Sequence, residues 1–223
     1  MPRTRIKFCG VTCTDDALLA ARAGADAIGL VFYPKAKRRV STDDAAKILE
    51  VLPPFVTPVG LFVDAAPGMV LKTARLLGLR HVQLHGHETP ETVAQLAPLC
   101  VIKAVRVEKD RLCEELDRWR DALHRLRLSH LRGFVLETGN TKEAGGTGVE
   151  NDWATVKAFQ DRGAFDGLPY LITAGGLTPQ NVGDVVRTIR PWAVDVSTGV
   201  EGSPGRKSAE KLEAFARAVR GTE

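Results

Sequence analysis

The chain has 223 residues, 44% of them hydrophobic and 26% charged, with a formal net charge of +4 at pH 7. No tract reaches the ~20 uninterrupted apolar residues of a membrane span, and Lys7 and Asp15 break the apolar run that a secretory signal would need after the early arginines. These features predict a soluble, cytoplasmic protein without a membrane partner, of a length that suits one α/β barrel or two small domains.

From the first residues onward, apolar runs rich in valine, isoleucine and leucine alternate with stretches of helical period. The runs predict strands at 5–9, 26–32, 57–63, 80–84, 100–106, 132–137, 169–174 and 192–196. Between them, helices are expected near 14–23, 42–51, 67–77, 89–96, 109–127, 152–162, 178–188 and 205–220, with start signals at Thr14, Ser41 and Thr178-Pro179. Strands without clean alternation fit a parallel sheet buried on both faces. Eight such units predict a single (β/α)₈ barrel over 1–223, with an eight-stranded open sheet as the alternative. Segment 138–151, which carries Gly145-Gly146-Thr147-Gly148, reads as a functional loop and not as a domain boundary.

The four cysteines, Cys9, Cys13, Cys100 and Cys113, form no CxxC pair and predict free thiols, with Cys100 in the core. His81, His85 and His87 lack a further ligand at suitable spacing, so no metal site is expected. The basic run from Arg118 to Arg132 carries Leu123, Leu126, Leu128 and Leu131 at helical spacing, which reads as a solvated helix face and not a nucleic-acid surface.

Active sites of such barrels lie at the carboxyl ends of the strands. Those ends are Cys9, Phe32, Asp64, His85, Arg106, Glu137, Ala174 with Gly175, and Asp195 with Ser197. Cys9 and Glu137 suit proton transfer, one as a thiolate base and the other as an acid whose pKa burial raises. Each has a plainer reading: Cys9 as a small buried hydrophobe, Glu137 as the partner of a barrel lysine such as Lys7. The turns Gly175-Gly176 and Ser197-Thr198-Gly199 follow strands seven and eight, where backbone N–H groups can cradle a phosphate ester. Arg38 and Arg39 follow strand two, where a guanidinium could hold a carboxylate in two parallel hydrogen bonds, with a surface role the equal alternative for at least one of them. His85 could bond substrate, or a neighbouring loop, which is the favoured reading.

The motifs KFCGVT, GLVFYPKAKRRVS, QLHG, GGTG with Asp152-Trp153, AGGL with Asn181-Val182, and DVSTGVE occur in one order over nearly the whole chain. In this the chain resembles the phosphoribosylanthranilate isomerase family of tryptophan biosynthesis. The resemblance implies a (β/α)₈ barrel catalysing an Amadori rearrangement of a phosphorylated small molecule, N-(5-phosphoribosyl)anthranilate, without metal or cofactor. It implies Cys9 as general base and Glu137 as general acid, Arg38 on the anthranilate carboxylate and Asp195 on the anthranilate portion. Gly175, Gly176, Ser197, Thr198 and Gly199 would hold the phosphate. The chain departs from the family pattern at Glu137, where aspartate is usual, and at Ala36-Lys37, Thr198 and Ser208. Another sugar-phosphate isomerase or epimerase on the same barrel, or a binding protein with weakened chemistry, are the competing functions.

Overall fold

The first strand shows how the sequence builds this architecture. In β1 (Arg5–Cys9) Ile6 and Phe8 are apolar and Lys7 and Cys9 stand between them, and alternation along a strand sends the two sets to opposite faces. Phe8 packs outward, edge-on against Phe215 with ring centroids 5.9 Å apart, while Lys7 and Cys9 face the barrel axis. The computed structural model describes residues 3–106, 111–137 and 153–222.

Seven further strands follow: β2 (Ala27–Val31), β3 (Thr57–Phe62), β4 (His81–Leu84), β5 (Cys100–Arg106), β6 (Leu131–Glu137), β7 (Tyr170–Ala174) and β8 (Ala193–Val196). They form a closed barrel in sequence order, all parallel. Closure sets Lys7 opposite Asp195 and Ile6 opposite Val194 across the β1–β8 seam. Around it lie α1 (Thr14–Arg22), α2 (Thr42–Val51), α3 (Pro67–Leu77), α4 (Pro90–Ala94), α5 (Leu112–Arg125), α6 (Trp153–Asp161), α7 (Val182–Ile189) and α8 (Ala209–Arg220). Ser41 caps α2 by accepting from the Asp44 N–H at 3.0 Å, and Pro67 and Pro90 sit in first turns where a missing N–H costs nothing. Among the described residues, no helix is long and apolar enough to cross a membrane.

The core has two layers, as a barrel ringed by helices requires. Large side chains such as Phe8, Trp119, Phe134 and Phe215 fill the space between strands and helices. Inside the barrel a smaller set, Ala104, Val135, Ile172, Ala174 and Ala193, packs on the axis, and the polar side chains of Lys7, Gln83 and Asp195 are buried with them. A cluster of Cys9, Val31 and Leu61 lies at the β1–β3 side.

The predicted strands match the observed ones to within one residue at each end, and the closed barrel settles the choice against an open sheet. Helices α7 and α8 begin well after their expected starts at 178 and 205. Helix α7 starts at Val182 because Asn181 ties down the preceding turn: its Oδ1 accepts from the Thr178 N–H at 2.8 Å and its Nδ2 donates to the Gly176 carbonyl at 3.0 Å. Residues 205–208 are not helical, because Arg206–Lys207 pairs antiparallel with Glu201–Ser203 and Ser208 then caps α8 at the Lys211 N–H. Cys100, expected in the core, is half-buried at the start of β5. The expected loop 138–151, with its Gly-Gly-Thr-Gly run and the neighbouring Asp152, lies outside the described residues.

Candidate active site

Cys9 ends β1 at 8% exposure, and its thiol neighbours the Lys7 ammonium. The wall behind them is Gly29: a Cβ there would sit 2.7 Å from Cys9 Sγ and 3.1 Å from Lys7 Nζ, so only glycine leaves room for both. Lys7 Nζ donates to both oxygens of Asp195, each at 2.9 Å. Burial alone would discharge Lys7, but the Asp195 carboxylate and the thiol outweigh it and hold the ammonium above its ordinary pKa. For Cys9 the balance is reversed. Burial pushes the thiol above its ordinary value, against the pull of the Lys7 and Lys207 cations.

Glu137 ends β6 and meets His85, whose Nε2 lies 2.8 Å from Glu137 Oε2. The plainer reading of Glu137 as the partner of Lys7 does not hold: Lys7 is taken by Asp195, and the imidazole holds the carboxyl. The favoured loop contact of His85 is corrected with it. The expected direction of the Glu137 pKa is corrected as well. Burial does push it up, but the His85 hydrogen bond, helped by Arg106 and Lys7, brings it below the ordinary carboxylate value. His85 Nδ1 is met from below by Gln83 Nε2 at 3.1 Å.

Arg38 lies between the ends of β1 and β8. Its Nε and Nη2 donate to Glu201 Oε1 and Oε2 at 2.5 and 2.9 Å, so the fork expected to grip a substrate carboxylate grips a carboxylate of the chain. Lys207 Nζ also reaches Glu201, at 3.2 Å, and the Ser197 carbonyl at 3.0 Å. Asp195, expected against the anthranilate portion, has both oxygens engaged by Lys7.

The two glycine turns come together. Gly175 and Gly176 have φ of 90° and 62°, in the left-handed region that favours glycine. Gly199 approaches the first turn so closely that a Cβ would lie 1.9 Å from the Leu177 carbonyl oxygen. Ser197 and Thr198 continue from β8, with Thr198–Val200 in a short 3₁₀ turn, and the Ser197 hydroxyl lies 3.1 Å from where a Cβ of Gly10 would stand. A cavity of about 410 Å³ opens at the ends of β4 to β6, lined in part by His85, Lys103, Arg106, Arg111 and Glu137.

Sequence reasoning gave no role to Gln83, Glu201 or Lys207, and set Lys7 against Glu137 without its partner Asp195. Lys7 and Gln83 did carry a signal, since each stands two residues before a strand-end candidate and so shares its face. Glu201 and Lys207 belong to the last strand's loop, and nothing local reveals their partner.

The family model of N-(5'-phosphoribosyl)anthranilate (PRA) isomerase matches residues 6–218. The N-(5'-phosphoribosyl)anthranilate isomerase of Pseudomonas syringae pv. tomato is 44% identical over 224 residues, covering 100% of both chains. Among solved structures, phosphoribosyl anthranilate isomerase from Thermotoga maritima superposes with a TM-score of 0.84 at 38% identity, covering 98% of this chain and 99% of that one. A phosphoribosyl anthranilate isomerase in complex with reduced 1-(o-carboxyphenylamino)-1-deoxyribulose 5-phosphate superposes with a TM-score of 0.81 at 37% identity, covering 98% and 99%. Matches that run the length of a barrel whose strand ends carry a thiol, a carboxyl and paired glycine turns leave one conclusion: the chain belongs to the N-(5'-phosphoribosyl)anthranilate isomerase family, the isomerases of tryptophan biosynthesis.

Proposed function

We propose that the rearrangement of N-(5-phosphoribosyl)anthranilate runs on this chain between Cys9 as base and Glu137 as acid. The observation that carries the reading is their placement: thiol and carboxyl end β1 and β6 of one barrel, each beside a group that tunes its proton affinity. The phosphate rests on the N–H groups of the Gly175-Gly176 and Ser197-Thr198-Gly199 turns, which the close approach of Gly199 to Leu177 holds as one cradle. Arg38 keeps its remaining Nη1 for the anthranilate carboxylate while Glu201 fixes its plane. Asp195 acts through Lys7 and not by touching the anthranilate portion, since both its oxygens are taken.

The chemistry then follows in two proton transfers. Glu137 donates to the ring oxygen as the C1–O bond breaks, and the anilino nitrogen lone pair forms the C=N⁺ bond of the Schiff base. Cys9 removes the C2 proton, and the C–H electrons form C1=C2 and discharge the iminium; tautomerisation gives the 2-ketone. In the resting protein the thiol is held protonated and the carboxyl ionised. Bound phosphate and carboxylate raise the proton affinity of Glu137, and the iminium cation afterwards lowers that of Cys9. Each group is thereby brought to the state its step needs.

His85 acts here on Glu137 and shares the wall of the adjacent cavity, where it can also meet the substrate. We further read residues 1–223 as one catalytic domain working in the cytoplasm. The test is turnover of N-(5-phosphoribosyl)anthranilate generated in situ and followed by loss of its fluorescence. The wild type should turn over and Cys9→Ala and Glu137→Gln should lose at least a hundredfold in kcat. Full turnover by either variant would remove that residue from its role.

A further inference from the structure

Gln83 stands two residues before His85 on the same face of β4 and is fully buried at 0% exposure. Its Nε2 lies 3.1 Å from His85 Nδ1, and His85 Nε2 lies 2.8 Å from Glu137 Oε2, so the three side chains form a line ending at the acid. Among the described residues, the far atom of the amide, Oε1, is buried without a hydrogen-bond partner.

The protons of this line can be counted. An amide N–H only donates. Facing it, Nδ1 must accept, and the single ring proton of His85 sits on Nε2 and is donated to an ionised Glu137. This is the line lacking the proton that an acid must carry. Adding that proton gives either an imidazolium beside the carboxylate or a neutral imidazole accepting from a protonated Glu137. Both forms carry an N–H at Nδ1, which an amide N–H cannot receive. The amide must turn to present Oε1. Because its far atom lacks a partner as it stands, no second hydrogen bond resists that turn, and the amide follows the proton on Nδ1.

We propose that Gln83 is a positioning residue for the general acid, turning its amide between donor and acceptor so that the His85–Glu137 pair can take up and release the proton of catalysis. This rests on the reading of Glu137 as the acid. The charged groups facing the pair are Arg106, opposite Glu137 on β5, and Lys7 on β1, itself paired with Asp195 on β8. Asp64, at the end of β3, is engaged with the His87 N–H, and Glu88 with Lys103. None of these supplies an acceptor to Nδ1.

The pair titrates as a unit, and its protonation can be read without turnover from ¹⁵N–¹H correlation spectra of the histidine-labelled protein, with His85 assigned by its absence in His85→Gln. In the wild type we expect Nε2 alone to be protonated above the midpoint and Nδ1 to gain a proton below it. In Gln83→Met, which keeps the volume but can neither donate nor accept, both forms lose their bond at Nδ1; the one made by the protonated pair is charge-assisted and worth more by about a factor of ten, so the midpoint falls by about one pH unit.

Kinetics should follow. With the thiol high and the carboxyl low, the acidic limb of kcat/KM marks the pair and the plateau scales with its proton affinity. Gln83→Met therefore moves that limb down by about one unit and lowers the plateau about tenfold. A residue that merely filled space would lower the plateau and leave the limb and the midpoint in place; that result overturns the proposal. So does an Nδ1 in the wild type that never gains a proton, a result that stands even if Gln83→Met does not fold. Full turnover by Glu137→Gln would remove the acid role on which the proposal rests. The spectra would separately show whether Gln83 follows the proton.

Discussion

Replacing Lys7 with methionine isolates what the buried ammonium does. Its Nζ lies 2.9 Å from both oxygens of Asp195, and the two side chains are 5% and 6% exposed. Breaking a pair this buried by removing one partner costs about 3–5 kcal/mol, because the other charge is stranded. For a chain of this size that lowers the melting temperature by about 10 °C. Adding Asp195→Leu removes the stranded charge as well, and should restore most of the loss. The same substitution takes a cation from the Cys9 thiol. At an effective dielectric of about 20 and a separation of roughly 4 Å, such an interaction is worth about 4 kcal/mol, and Asp195 offsets much of it while Lys7 is present. At least a factor of ten in thiolate at fixed pH should disappear. Thermal unfolding and iodoacetamide alkylation, with exposed Cys113 as the internal reference, measure the two effects. An unchanged melting temperature, or an unchanged alkylation ratio of Cys9 to Cys113, would refute the reasoning.

Two other substitutions probe the cradle and the acid stability. Gly199→Ala would place a methyl 1.9 Å from the Leu177 carbonyl oxygen, forcing two backbones apart. We expect a stability loss of about 2 kcal/mol and inhibition by inorganic phosphate weakened about tenfold, and an unchanged inhibition constant would count against a phosphate site there. Glu88 accepts from the Asp64 and Gly86 N–H groups and from Lys103 at 2.9 Å. Although burial opposes it, these partners hold its carboxyl below the ordinary value. A depressed folded pKa contributes stability above the unfolded value, lost as pH falls through the folded one. The wild type should therefore lose stability below about pH 4.5, and Glu88→Gln should flatten that part of the urea-midpoint curve.

How much the sequence reveals depends on whether the signal is local. Period and composition along 5–9 or 132–137 are local, and they placed Cys9 and Glu137 at strand ends within a residue of the observed limits. Six motifs in order identified the family. The charge partners are not local: Lys7 meets Asp195 188 positions away and Arg38 meets Glu201 163 positions away. Only the register at which β8 closes on β1 brings these together. The Glu137 carboxyl was expected to rise because burial was visible and its partner was not. His85 lies 52 positions earlier, on a strand two places away in the barrel. The late start of α7 has a local cause, Asn181 bonding back to Thr178 and Gly176, but Thr178-Pro179 gives the stronger start signal by composition.

The central claim, that Cys9 removes the C2 proton, is tested most directly by single-turnover rates with substrate carrying deuterium at C2 of the sugar. The account predicts a primary isotope effect for Cys9→Ser larger than that of the wild type, with a slower overall rate, because the weaker base makes proton removal wholly limiting. A Cys9→Ser protein with the wild-type rate and no larger isotope effect would contradict it.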